Sequence, residues 1–293
     1  MVDAALSSAD IPSRLQLTPG PWSTVLDALC ARFPAIDRDT WRSRFARGRV
    51  LDTSGEALTD AAPFRVGAEI RYYREVEAEP RLAVEESILH VDDHLIVVDK
   101  PHFLPVTPGG IYVNETLLAR LVKRFDDIDI VPLHRLDRLT AGVMLFSNQP
   151  ATRSRYQSLF RDRAIHKRYE AIAPALPMTT WPIERRSRLI RGDPFFLTQE
   201  VSGDSNAVTR IDVIERGADA WRYALEPITG RKHQLRVHMA ALGAPIHNDP
   251  LYPQLAEPAP DNLQQPLKLL ARSLRFTDPL DGSVKYFESQ LRL

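Results

Sequence analysis

Three segments lying close together, KRYEAIA, TRIDVIERG and WRYALEPI, alternate apolar and polar residues with a period of two. A strand shows that alternation when one face is buried and the other solvated, whereas a helix cannot gather it into one stripe. Their β-branched and aromatic content points the same way. Ahead of them GVMLFSN is an almost unbroken apolar run and reads as a buried strand. ILHVDDHLIVVDKP reads as a hairpin: a strand over Ile88–Val91, an Asp92-Asp93 turn, and a β-branched strand ending at Lys100-Pro101. LLARSLRFTDP and SVKYFESQLRL close the chain with further strand-like pieces. Strands outnumber helices and adjoin as hairpins, so the expected fold class is α+β, with a mainly antiparallel mixed sheet.

Helices enter between the strands. ETLLARLVKRF is amphipathic, TRSRYQSLFRDR is basic, and HQLRVHMAALG is a helix with Gly243 placed as its left-handed terminator. QLAEPAPDNLQQP is a proline-rich loop. The first eighty residues read as a separate small α/β module. STVLDALCARF has helical spacing behind Ser23 as N-cap, and Asp37 caps a second helix carrying Arg42, Arg44, Arg47 and Arg49. Two short strands follow, in GRVLDTSGEAL and FRVGAEIRYYREV, with Pro80 as linker. This arrangement resembles the S-four-type RNA-binding domain, which implies an RNA-binding patch at those four arginines. The expected division is 1–80 for the module and 81–293 for a catalytic domain.

Composition narrows the chemistry. One cysteine in 293 residues excludes an intrachain disulfide framework and argues against cysteine-ligated zinc. MVDAALSSAD has neither a basic n-region nor an apolar h-region, and no apolar run is long enough to span a bilayer. The expectation is a soluble cytoplasmic protein. A formal net charge of zero hides segregation, because Arg153 to Arg191 holds ten Lys/Arg against Asp162, Glu170 and Glu184. Local patches set the field that a polyanion meets. The bland alternative is two solvated helix faces.

HRLDRLTAGVMLF holds Asp137 between Arg135 and Arg138, directly before apolar sequence. Charges in that position are costly unless paired. The kinase catalytic loop has no leucine between arginine and aspartate, and neither its glycine-rich loop nor Asp-Phe-Gly occurs here. No phosphate loop and no His-Glu-x-x-His run is present. A second donor-rich segment, GRKHQLRVH, carries Arg231, Lys232, His233, Gln234, Arg236 and His238. If its helix begins after Thr229-Gly230, Lys232 and Arg236 share a face. Leu235, Val237 and Met239 alternate with the charges, so part of the cluster is forced inward and needs an acceptor, for which Asp137 is the obvious candidate.

HRLDRLTAG, HKRYEA and ITGRKHQLRVHMAALGAPI, with DDHLIVVDKP before them and LLARSLRF after, resemble the RluA-type pseudouridine synthases, from about Leu82 to the C-terminus. The resemblance implies isomerisation of uridine to pseudouridine in ribosomal or transfer RNA, with no cofactor and no metal. It assigns Asp137 as nucleophile, Tyr169 as the tyrosine that stacks on the target base and helps remove the ring proton, and Arg236 as the partner of Asp137. Leu235 lines the pocket, and His134, Arg135, Arg231 and His233 complete the substrate-binding set. Ala141 replaces a commoner serine and HNDPLY a more usual Leu-Gly-Asp loop, neither expected to touch the chemistry. A carboxylate nucleophile must be ionised, and a guanidinium beside it favours that state while fixing its orientation. A uridine in a stem must leave the stack to react, and an aromatic face compensates by about 1–3 kcal/mol. The alternatives are a non-catalytic RNA-binding or ribosome-assembly protein retaining the fold, and a metal-free hydrolase, which leaves the basic patches unexplained.

Overall fold

The computed structural model describes residues 12–75, 79–257 and 259–293. MVDAALSSAD and part of EVEAEP lie outside them. The chain forms two compact units: one holds the described residues up to Pro80 with Pro108–Asn114, the other Arg81–Thr107 and Glu115–Leu293. The linear reading does not contain that return of 108–114. Glu79 anchors it by accepting the backbone N–H groups of Val113 and Asn114 at 2.6 and 2.9 Å.

In the first unit β1 (Ser13–Gln16), β2 (Val50–Leu51) and β3 (Glu69–Tyr72) form a small sheet in the order β1-β3-β2, beside α1 (Val25–Arg32) and α2 (Arg38–Ala46). Leu26, Leu29, Trp41, Phe45 and Ile70 build its core. Asp37 caps α2 as expected, whereas α1 is capped by Thr24, one residue after Ser23. The four arginines do not make one outward patch. Arg44 and Arg49 are buried, with Arg44 under Trp41 and Arg49 under Tyr73, and both approach Glu75 together with Arg47. Burying a guanidinium requires a carboxylate, and Glu75 supplies it from outside the arginine segment. Arg42 remains exposed.

The second unit runs β4 (Ser87–Val91), β5 (Leu95–Lys100), α3 (Leu117–Phe125), β6 (Val131–Pro132), β7 (Ala141–Ser147), α4 (Pro150–Arg161) and β8 (Ile165–Pro174). It continues with β9 (Ile183–Arg191), β10 (Thr198–Val201), β11 (Ala207–Arg216), β12 (Ala220–Pro227), α5 (Gln234–Ala241), β13 (Leu269–Thr277) and β14 (Val284–Glu288). One sheet of eleven strands has the path β10-β9-β11-β12-β8-β13-β7-β5-β4, with β14 on β13 and β6 on β7. Every pairing is antiparallel except β13 with β7. The period-two segments are β8, β11 and β12, paired as neighbours. β9 and β10 were not legible, and the basic run from Arg153 to Arg191 therefore divides among α4, β8 and β9 and does not lie on one helix face. No helix among the described residues is long and apolar enough to cross a membrane.

The parallel contact of β7 with β13 sets the base of the HRLDRLTAG loop. Gly142, at φ +116°, lies so close to β13 that an added Cβ would sit 2.2 Å from the Ala271 carbonyl oxygen. Gly142→Ala is expected to lower stability by about 3 kcal/mol, from overpacking plus a backbone angle that alanine rarely adopts. A thermal midpoint unchanged within about one degree would contradict that close approach, since 1 kcal/mol moves it by several degrees.

Candidate active site

Asp137 stands in the loop between β6 and β7, and that loop is pinned from several directions. Leu145 of β7 donates its N–H to His134 Nε2 at 3.1 Å, and the His134 ring stacks on Phe160. Burial, aided by the Lys167 charge, drives His134 down to about 3, so it is neutral and serves to pin the loop. Lys100 Nζ, fully enclosed at the end of β5, donates to the carbonyls of Pro101, Leu104 and Arg138 at 3.0, 2.9 and 3.2 Å. Burial lowers its ammonium to about 7, with the charge of Asp137 opposing the fall. His102 Nδ1 meets the Leu139 carbonyl at 2.6 Å, and Arg138 is paired with Asp261.

The donor-rich segment approaches from the other side. Its helix begins at Gln234, after a left-handed residue at His233 (φ 53°), so Lys232 lies outside it and shares no helical face with Arg236. Gln234 holds the preceding turn: its Oε1 accepts from the Thr229 hydroxyl and the Arg231 N–H, and its Nε2 donates to Val208 O and Thr209 Oγ1. Residues 234–239 are all buried, since α5 packs on β10, β11 and β12. Leu235 lines the cavity described below, and Arg231 Nε is bonded to the Asn206 carbonyl.

Arg236 has two acidic neighbours, and Asp137 is the weaker one. Its Nε and Nη2 grip Asp249 at 2.7 and 2.6 Å, while Nη1 reaches Asp137 Oδ2 at 3.4 Å. Burial opposes the charge, but the hydrogen bonds and charge of Asp249, with Asp137 adding, keep the guanidinium above its ordinary value. The HNDPLY loop therefore supports the site through Asp249, a role that the expectation of a loop apart from the chemistry does not include. An aspartate after a loop glycine or asparagine is an ordinary turn residue, which is why its role was not readable. His233 Nε2 also faces Asp137 Oδ2, at 3.7 Å. Both contacts go to Oδ2, and Oδ1 has no hydrogen-bond partner among the described residues.

A cavity of about 400 Å³ opens in front of Asp137. Arg135, Arg163, Lys167, Arg231, Lys232 and Arg236 supply cations to its lining, and Asp137 is the one acidic residue among the described residues that lines it. Tyr169, on β8 and buried, lines the same cavity. Burial and the charge of Asp137 both push its hydroxyl upward, so at neutral pH it is a phenol. Arg135 is exposed and its side chain forms no ion pair or hydrogen bond among the described residues, which leaves its guanidinium for a ligand. The size and lining suit one nucleotide removed from its stack, with phosphate at the cations and base near the aromatic ring.

Comparison with known proteins agrees with this geometry. The family model for RNA pseudouridylate synthase matches residues 94–241. The dual-specificity RNA pseudouridine synthase RluA of Haemophilus influenzae is 32% identical over 228 residues, covering 73% of this chain and 97% of the relative. The ribosomal large subunit pseudouridine synthase D of Xanthomonas campestris is 30% identical over 284 residues, 86% of this chain and 82% of its own length. Among solved structures, human RNA pseudouridylate synthase domain containing 4 superposes with a TM-score of 0.56 at 28% identity, over 70% of this chain and 88% of that one. With the matched span running from the first hairpin through α5, and Asp137, Tyr169 and Arg236 all inside it, the chain belongs to the RluA-type RNA pseudouridine synthases, isomerases that convert uridine in RNA to pseudouridine.

Proposed function

We propose that Asp137 is the nucleophile of this isomerisation and that the substrate is a uridine in structured ribosomal or transfer RNA, flipped into the cavity. The observation that carries this reading is the asymmetry of Asp137: Oδ2 is covered by Arg236 and His233, and Oδ1 has no hydrogen-bond partner among the described residues. A carboxylate held by one oxygen keeps the lone pairs of the other for attack. The ribose C1′ route and the ring C6 route both start from that oxygen. The base then separates from the ribose, turns, and rejoins through C5; the C5 proton leaves, and N1 gains one. Tyr169 stacks on the base. It is a phenol while Asp137 carries its charge, and loses part of that upward push once Asp137 is esterified, which fits proton removal late in the sequence.

RNA is held by the cations of the lining, with Arg135 at the mouth. The small amino-terminal unit, which we read as an S-four-like RNA-binding module, adds exposed Arg42. Pseudouridine mapped across total RNA from cells with and without the protein is the direct test. Loss of pseudouridine at one or a few positions in ribosomal or transfer RNA is the expected outcome. An unchanged map of those RNAs would overturn the substrate assignment.

A further inference from the structure

His233, one of the two groups that cover Asp137 Oδ2, is paired on its other side with buried Tyr252, which the chemistry above does not use. The His233 Nδ1 and the Tyr252 hydroxyl are 2.8 Å apart, and that hydroxyl oxygen also accepts the Thr198 N–H at 2.8 Å. Tyr252 further lies under the Arg236 guanidinium, 5.4 Å from ring centroid to Cζ, so it touches both groups that face Asp137 Oδ2. The backbone of His233 is left-handed, a conformation that histidine adopts at some cost and asparagine more readily.

We propose that Tyr252 fixes His233 as the neutral tautomer with its proton on Nε2, so that His233 and Arg236 together hold Asp137 Oδ2 and leave Oδ1 as the attacking oxygen. Two observations select that tautomer. The Tyr252 oxygen already accepts the Thr198 N–H, and Nδ1 at 2.8 Å is the hydrogen-bonded atom that can take the hydroxyl's own proton, an arrangement that satisfies the phenol as donor and acceptor when Nδ1 carries a lone pair. The reverse tautomer would turn the Nε2 lone pair toward a carboxylate oxygen 3.7 Å away, a repulsive contact in a site shielded from water. Only 8% of the His233 side chain is exposed, so solvent does not average the two forms. Burial, with Arg236 and Lys232 reinforcing it against Asp137 and Asp249, brings His233 down to about 4, and the ring is neutral at neutral pH. His233 and Tyr252 are thus positioning residues, and the proposal rests on Asp137 being the nucleophile.

A pair of substitutions separates this role from a merely structural one. Glutamine places an N–H near the Nε2 position, whereas asparagine reproduces only the Nδ1 side but suits the left-handed backbone better. His233→Gln is expected to keep kcat on RNA within about tenfold of the parent. His233→Asn is expected to lose about a hundredfold in kcat with KM little changed. Asparagine performing as well as glutamine would overturn the proposal. The second measurement is nitrogen-15 NMR of the full-length protein labelled at histidine, with His233 assigned by its loss in His233→Gln. A proton on Nε2 and a bare Nδ1 are expected, giving way to a mixture of tautomers in Tyr252→Phe. A proton on Nδ1, or no change in Tyr252→Phe, would sink it. A wrong tautomer with an inactive Asp137→Asn removes this inference alone; an active Asp137→Asn removes the nucleophile itself.

Discussion

Asp137→Asn is expected to lower the rate of pseudouridine formation by about 10⁴-fold or more, while RNA binds as it does to the parent. The substitution conserves size and leaves the loop's anchors at His134, Lys100 and His102 in place. The asparagine oxygen can still receive Arg236 Nη1, so the positioning contact survives in part. What disappears is the second carboxylate oxygen, the atom with no hydrogen-bond partner among the described residues, and an amide nitrogen in its place has no lone pair fit for attack. Release of tritium from RNA carrying 5-tritiated uridine reads the reaction directly, because the C5 hydrogen leaves in every turnover. Affinity is measured on the same RNA. Turnover within tenfold of the parent would overturn the nucleophile, whereas parallel loss of binding and turnover would mean that the loop had collapsed.

The sheet was legible because half-buried strands write their environment with a period of two. β8, β11 and β12 announce themselves in KRYEAIA, TRIDVIERG and WRYALEPI. β9 was hidden because ERRSRLIR alternates with arginines long enough to cover apolar surface with their stems. Of the site, the residues bearing unusual chemistry stood out: an aspartate between arginines, a tyrosine after a basic pair, and a donor-rich helix start. What supports them did not. Asp249 and Tyr252 stand in a proline-rich turn whose composition is ordinary for a loop, and their importance is entirely three-dimensional. The arginines of α2 and of the turn after it make the same point. Four positive charges within eight residues read as a surface, yet the chain brings Glu75 back to them and two go under. Sequence spacing reports which charges are neighbours along the chain, not which carboxylate returns to meet them.

The pair Arg236 and Asp249 lets stability and chemistry be measured apart. Their side chains are 2% and 1% exposed and joined by two short hydrogen bonds. Removing one partner strands a charge in the interior, so Arg236→Met is expected to destabilise the protein by about 3–5 kcal/mol and to abolish activity. Asp249→Asn alone leaves the guanidinium with Asp137 at 3.4 Å as its remaining acidic neighbour, and is expected to destabilise as well. Asparagine keeps an oxygen for the N–H groups of Leu251 and Tyr252, which donate to Asp249 Oδ1, so the loop itself is spared. In the double variant neither member of that buried pair leaves a stranded partner charge behind. Its stability is expected to return to within about 1–2 kcal/mol of the parent, giving a coupling of at least about 2 kcal/mol. Activity is not expected to return, because Asp137 Oδ2 then faces only His233. Denaturant unfolding of the four proteins gives the cycle, and tritium release gives the chemistry. Additive losses in the cycle would mean that Asp249 does not hold Arg236. Recovery of turnover along with stability would mean that the guanidinium serves the fold alone, and that His233 is enough to position Asp137.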